Sequence, residues 1–96
     1  MAGTPEGKVK RHVTQVLKRA DGVYYFMPVQ TGYGSPTLDY LGTHRGRGFA
    51  IETKAPGKKP TIRQSAIIKE MEAAEMKVFV IDGQPHQYEE LRLWLF

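Results

Sequence analysis

The sequence predicts a small α/β domain, a mixed β-sheet flanked by helices, and three observations lead there. The chain opens on helical periodicity, with Val9, Val13, Val16, Leu17 and Ala20 on one face. Two strand-like runs, around Tyr40-Leu41 and Phe49-Ala50-Ile51, flank the flexible tip His44-Arg45-Gly46-Arg47-Gly48, as a hairpin requires. The apolar run Lys77-Val78-Phe79-Val80-Ile81 follows a second helical stretch, and strand, helix, strand implies a right-handed parallel crossover. With 96 residues, 41% apolar and 25% charged, the chain has the composition of one globular domain with one modest core.

The first helix starts at Thr4-Pro5-Glu6, with Thr4 as N-cap and Pro5 at the first helical position, and ends at Asp21-Gly22. Glu6 sits at the N-terminal edge of the buried face. Its carboxylate can either complement the helix dipole or point into a site. The opposite face carries Lys8, Arg11, Gln15, Lys18 and Arg19, a solvated surface that could also meet phosphates. Val23 to Val29 reads as a strand, with Pro28 confining that end to an edge or a terminus. The loop Thr31-Gly32-Tyr33-Gly34-Ser35-Pro36 follows; its glycines serve either a turn or close approach to a ligand, and Tyr33 could stack on a base.

The hairpin from Leu38 to Lys54 carries the chemistry. A turn centred on Arg45-Gly46 pairs Asp39 with Glu52, because 39 + 52 equals 45 + 46. Their β-carbons should lie roughly 4.5–5.5 Å apart. Like charges facing each other repel, so such a pair suits a bound cation, and clustered carboxylates are a hard-oxygen site for Mg²⁺ or Mn²⁺. Alternation puts Lys54 on the face of Glu52, about 7 Å along the strand. An ammonium there can meet charge developing during phosphoryl transfer. Arg45 and Arg47 at the tip are candidate phosphate contacts. His44 is one of three histidines without mutual metal-ligand spacing and receives no catalytic role.

Ala55 to Pro60 breaks the strand. Thr61-Ile62-Arg63-Gln64 is then a capping box opening a helix that should run to about Glu75. Capping explains Gln64 completely, yet Gln64 also shares a face with Ile67, Ile68 and Met71, which turns it toward the sheet. Lys58, Lys59 and Arg63 gather at the same helix N-terminus, a setting that favours phosphate. Gln87 to Phe96 forms a final helix with Tyr88, Leu91 and Leu95 on one face; Leu93, Trp94 and Phe96 add apolar surface that packs on its own core or meets a partner.

Asp39, then Glu52-Thr53-Lys54 after a hairpin, then Gln64 opening a helix, resembles the PD-(D/E)XK nuclease superfamily, and within it the VRR-NUC family and its small stand-alone phage members. The likeness covers roughly residues 6 to 81. It implies a restriction-endonuclease-like fold and a metal-dependent DNA endonuclease, selective for branched DNA such as four-way junctions. It also implies roles: Asp39 and Glu52 as ligands of Mg²⁺ or Mn²⁺, the Thr53 carbonyl as a further oxygen, Glu6 as an outer ligand through water, Lys54 as the catalytic ammonium, and Gln64 beside the metal-binding strand. Two other readings are a non-catalytic nucleic-acid-binding module and a structural subunit.

A net charge of +4 suits a polyanionic partner. The chain has no cysteine, which excludes disulfides and thiolate metal sites. It has no apolar run of membrane-spanning length and no signal-peptide pattern, and the expectation is a cytoplasmic protein without membrane association. Symmetric cutting of a four-way junction needs two sites, so a homodimer is expected, with the tail residues Leu93, Trp94 and Phe96 or the aromatics of Tyr24 to Phe26 as apolar surface for it.

Overall fold

The computed structural model describes residues 3–29 and 36–96. Seven elements follow one another: α1 (Pro5–Arg19), β1 (Val23–Phe26), β2 (Tyr40–His44), β3 (Arg47–Thr53), α2 (Ile62–Ala73), β4 (Lys77–Ile81) and α3 (Pro85–Leu95). The four strands form one mixed sheet in the order β1-β2-β3-β4. The first three are an antiparallel meander; β4 joins β3 in parallel through the α2 crossover.

Local chemistry explains the element boundaries. Thr4 caps α1, its hydroxyl accepting from the Gly7 N–H at 2.9 Å, and Lys18 and Arg19 complement the dipole in the last turn. Arg45 and Gly46 both take positive φ, 50° and 88°, the signature of a two-residue type I′ hairpin. That turn sets the register Tyr40↔Ile51 through His44↔Arg47. β1 is shorter than the Val23 to Val29 expected: it ends at Phe26, before Pro28, which has no N–H to give a ladder, and Val29 is exposed. The second helix also stops early, at Ala73 rather than about Glu75. Glu75 takes φ of 66° there, a left-handed position more often held by glycine.

Alternation divides the sheet into two faces. Phe49, Ile51, Phe79 and Ile81 turn to the inner face, where they pack with Val9, Val13, Val16 and Leu17 of α1 and Tyr88, Leu91 and Leu95 of α3. Tyr40 locks α1 to this face. Its hydroxyl donates to the Lys10 carbonyl at 2.9 Å and is 2.8 Å from the Thr14 hydroxyl. Trp94, expected off the buried face of α3, instead packs against the core. Its ring lies 5.2 Å from His44, 5.7 Å from Phe49 and 5.8 Å from Phe79, with the Arg47 guanidinium 5.2 Å above it. Leu93 and Phe96 remain exposed.

The outer face carries Ala50 and Glu52 of β3, with Lys54 just past the strand's end, and α2 packs chiefly over β4 on this side. No residue of α2 is fully buried. Among the described residues, no helix is long and apolar enough to cross a membrane.

Candidate active site

The site forms where β3 outruns β2 while it is still paired with β4. The hairpin register places Asp39 opposite Glu52, one step beyond the Tyr40↔Ile51 pair, since 39 + 52 and 40 + 51 are both 91. β2 begins at Tyr40, so Asp39 stands just outside the ladder, at the open end of the sheet. Its Oδ2 accepts two hydrogen bonds from Thr53, one from the backbone N–H at 2.9 Å and one from the hydroxyl at 2.6 Å. Thr53 is fully buried, so this double contact fixes the Asp39 carboxylate. In a strand, the N–H and C=O of one residue point the same way across the ladder. The Thr53 carbonyl therefore faces the Asp39 side as well, where β2 has already ended.

Glu52 is 3% exposed. Its Oε2 accepts from the Gln64 amide at 2.8 Å and lies 3.5 Å from the Lys54 ammonium. Its Oε1 is buried without a hydrogen-bond partner. A buried carboxylate oxygen left unpaired is costly, and an absent ligand is one way to account for it. Burial pushes the Glu52 pKa up, and the charge of Asp39 pushes it further; Lys54, and the Asp39 backbone N–H donating to the carboxylate, oppose both. The like-charge opposition expected from the sequence is thus an electrostatic feature of the fold.

Gln64 both caps α2 and faces the sheet. Its Oε1 accepts from the Thr61 N–H at 3.0 Å and its own N–H donates to the Thr61 hydroxyl at 3.1 Å, completing the capping box. The other end of the same amide holds Glu52. One side chain thereby ties the start of α2 to the carboxylate.

Glu6 is placed less directly. Its carboxylate lies 3.4 Å from Lys10 Nζ, and the same ammonium lies 3.9 Å from Asp39 Oδ1. Lys10 is the residue that sequence reasoning missed. Its one signal was the i,i+4 spacing from Glu6, which predicts a helix-surface ion pair and says nothing of Asp39.

The basic residues fall into two groups. Lys58, Lys59 and Arg63 are exposed on the segment leaving β3 and on the first turn of α2, at the same end of the sheet as Glu52. Arg45 and Arg47 are at the other end: Arg47 precedes Glu52 by five strand residues, about 17 Å. Arg47 is also engaged with Trp94. Tyr33, proposed to stack on a base, lies outside the described residues, as do Gly34 and Ser35.

Among the described residues, no group of three or more His, Cys, Asp or Glu side chains is arranged to hold a metal. The oxygens available are those of two carboxylates and one backbone carbonyl. That set suits a hard divalent cation completing its shell with water and substrate, the habit of Mg²⁺. No family model matches this chain, and no curated protein matches it.

Proposed function

We propose that this protein is a metal-dependent DNA endonuclease of the PD-(D/E)XK kind, similar to small stand-alone VRR-NUC members, and that it hydrolyses phosphodiester bonds in branched DNA. The observation that carries the reading is the carboxylate pair itself. Two acidic residues are set opposite each other by the hairpin register, one retains a buried oxygen without a partner, and a lysine stands 3.5 Å from that carboxylate. The order of elements and the mixed sheet between helices agree with the restriction-endonuclease-like core that the resemblance implies.

Asp39, Glu52 and the Thr53 carbonyl would hold Mg²⁺ or Mn²⁺, with Glu6 reached through water. The bound ion would supply an activated water and neutralise charge at phosphorus. The chain's own groups do the rest. Thr53 holds Asp39 in place, Gln64 holds Glu52, and the Lys54 ammonium orients the attacking water and meets negative charge developing at the phosphate. Lys58, Lys59 and Arg63 take backbone phosphates beside the site. One site per chain and paired cuts across a junction call for a homodimer.

The test is incubation of purified protein with labelled four-way junction, flap and linear duplex. Cleavage should occur with Mn²⁺ or Mg²⁺ and stop in EDTA. Asp39→Ala and Glu52→Ala should each abolish it while leaving the fold intact. Full activity in either variant would remove the site assignment, and metal-independent binding without cleavage by wild type would make the protein a binding module.

A further inference from the structure

Among the described residues, the helix on the outer face of the sheet covers mainly its β4 side. α2 lies chiefly over β4, while β1, at the sheet's edge, presents Tyr24 and Phe26 to solvent at 73% and 52% exposure. These rings alternate with Val23 and Tyr25, which pack on the inner core. The register carries the row straight to the proposed site. Phe26 pairs with Leu41, Leu41 with Ala50, and Glu52 is the next outward residue along β3. Strand spacing puts Phe26 about 12 Å from Glu52 between α-carbons, and Tyr24 about 7 Å further along β1. Exposed aromatics on an edge strand are an aggregation hazard, so their presence here calls for an occupant.

We infer that this face is a track for one unpaired DNA strand, with successive bases stacking on Tyr24 and Phe26 and the backbone running on toward Glu52 and Lys54. Two rings two residues apart on one strand offer platforms at a spacing suited to neighbouring bases of an extended strand. Stacking of this kind accepts any base, because every base has a π-face. Charge favours the same occupant. At one end of the row the Arg45 side chain lies across Gly22, where a β-carbon would come within 2.9 Å of it, at the turn that leads into Tyr24. At the other end are Lys54 and, beyond it, Lys58, Lys59 and Arg63. A polyanion meets cations at both ends, and the chain as a whole carries a net charge of +4. Thr43, paired with Tyr24 and exposed, adds a polar group between the rings and the hairpin tip. The proposal rests on the nuclease reading for its direction. It narrows the substrate to branched DNA with a single-stranded arm or a frayed junction.

The experiment measures binding in EDTA, where no cleavage can occur, by fluorescence anisotropy of a short labelled oligothymidylate and of a duplex. A 2-aminopurine base within the single strand reports stacking. The Tyr24→Leu/Phe26→Leu double variant keeps apolar side chains and removes both rings. It should lose single-strand affinity by about ten-fold or more, lose the 2-aminopurine quenching, and bind duplex almost as before. If the double variant folds poorly, Phe26→Tyr and Phe26→Leu decide: the first should bind single strands like wild type and the second more weakly. Equal binding by those two, or an unchanged double variant, overturns the track. So does a variant that binds DNA normally but falls from dimer to monomer, since the face would then be a contact between copies. A wild type that cuts no DNA with Mn²⁺ yet binds single strands through these rings would sink the nuclease reading and leave the track standing.

Discussion

Lys54 and Glu52 share one contact but have different proposed tasks. The Lys54 ammonium is 3.5 Å from Glu52 Oε2, which Gln64 already holds, so removing the lysine leaves the carboxylate positioned. Lys54→Ala should therefore lower the cleavage rate by about 10²–10⁴-fold while Mn²⁺ affinity stays within a few-fold. Calorimetry that finds metal binding lost in a folded Lys54→Ala protein would reassign the lysine to metal capture. Glu52 makes a separate prediction about pH. Its pKa is raised above the ordinary 4.5, by burial first and the Asp39 charge second. Below 4.5 both the folded and the unfolded chain carry this proton, and the group's contribution to stability is fully present. As pH rises through the raised folded value, the unfolded chain releases the proton more readily, and that contribution is lost. In EDTA, the melting temperature of wild type should fall relative to Glu52→Gln across this window and then run parallel to it. Parallel curves from the start would mean that Glu52 titrates normally in the fold.

Among the elements, the meander depends on close approach at Gly42. A β-carbon there would collide with the Tyr24 carbonyl and come within 2.9 Å of the Phe49 ring and the Tyr25 side chain. Two of these neighbours are buried or backbone and cannot swing away. Gly42→Ala should push β1 off β2 and destabilise the protein by about 1–3 kcal/mol, read as a lower urea midpoint with little change in slope. An unchanged midpoint would mean that β1 contributes little to the cooperative fold. The hairpin beside it shows how much an element can carry from local sequence. Arg45-Gly46 permits two consecutive positive φ values, the two-residue turn follows, and the opposition of Asp39 to Glu52 is then arithmetic. Gln64 was similarly legible, because a capping box at the start of α2 and an inward face are both local patterns. The reach of Lys10 to Asp39 was not. It depends on how α1 docks, and that docking is made by the Tyr40 hydroxyl from another element.

For the molecule as a whole, the proposed cutting of a four-way junction would need paired incisions from chains with one site each. A two-fold dimer would supply them, and the fold restricts where its seam can be. Trp94 is committed to its own sheet, between Phe49, Phe79 and the Arg47 guanidinium. Leu93 and Phe96, at 76% and 68% exposure, are the apolar groups that α3 leaves outside. Light scattering at micromolar concentration should give a dimer mass for wild type and a monomer mass for Leu93→Ser/Phe96→Ser. A monomeric wild type that still makes paired junction cuts would refute the dimer, and a dimeric double variant would move the seam elsewhere.

The sequence by itself determined the helices, the hairpin with its register, the parallel crossover and, one step beyond that ladder, the opposition of Asp39 to Glu52. Each follows from periodicity, caps and turn chemistry within a few residues of chain. Only the tertiary structure decided which groups meet across elements. It put Thr53 on Asp39, brought Lys10 between Glu6 and Asp39, and buried Glu52 with one oxygen unpaired. It also turned Trp94 inward under Arg47, set the hairpin tip at the far end of the sheet from the carboxylates, and left Tyr24 and Phe26 uncovered. The physical reason is that burial and the reach of long side chains are properties of packed layers. A strand or helix pattern says which face a residue is on, and what lies against that face is set only when the layers close.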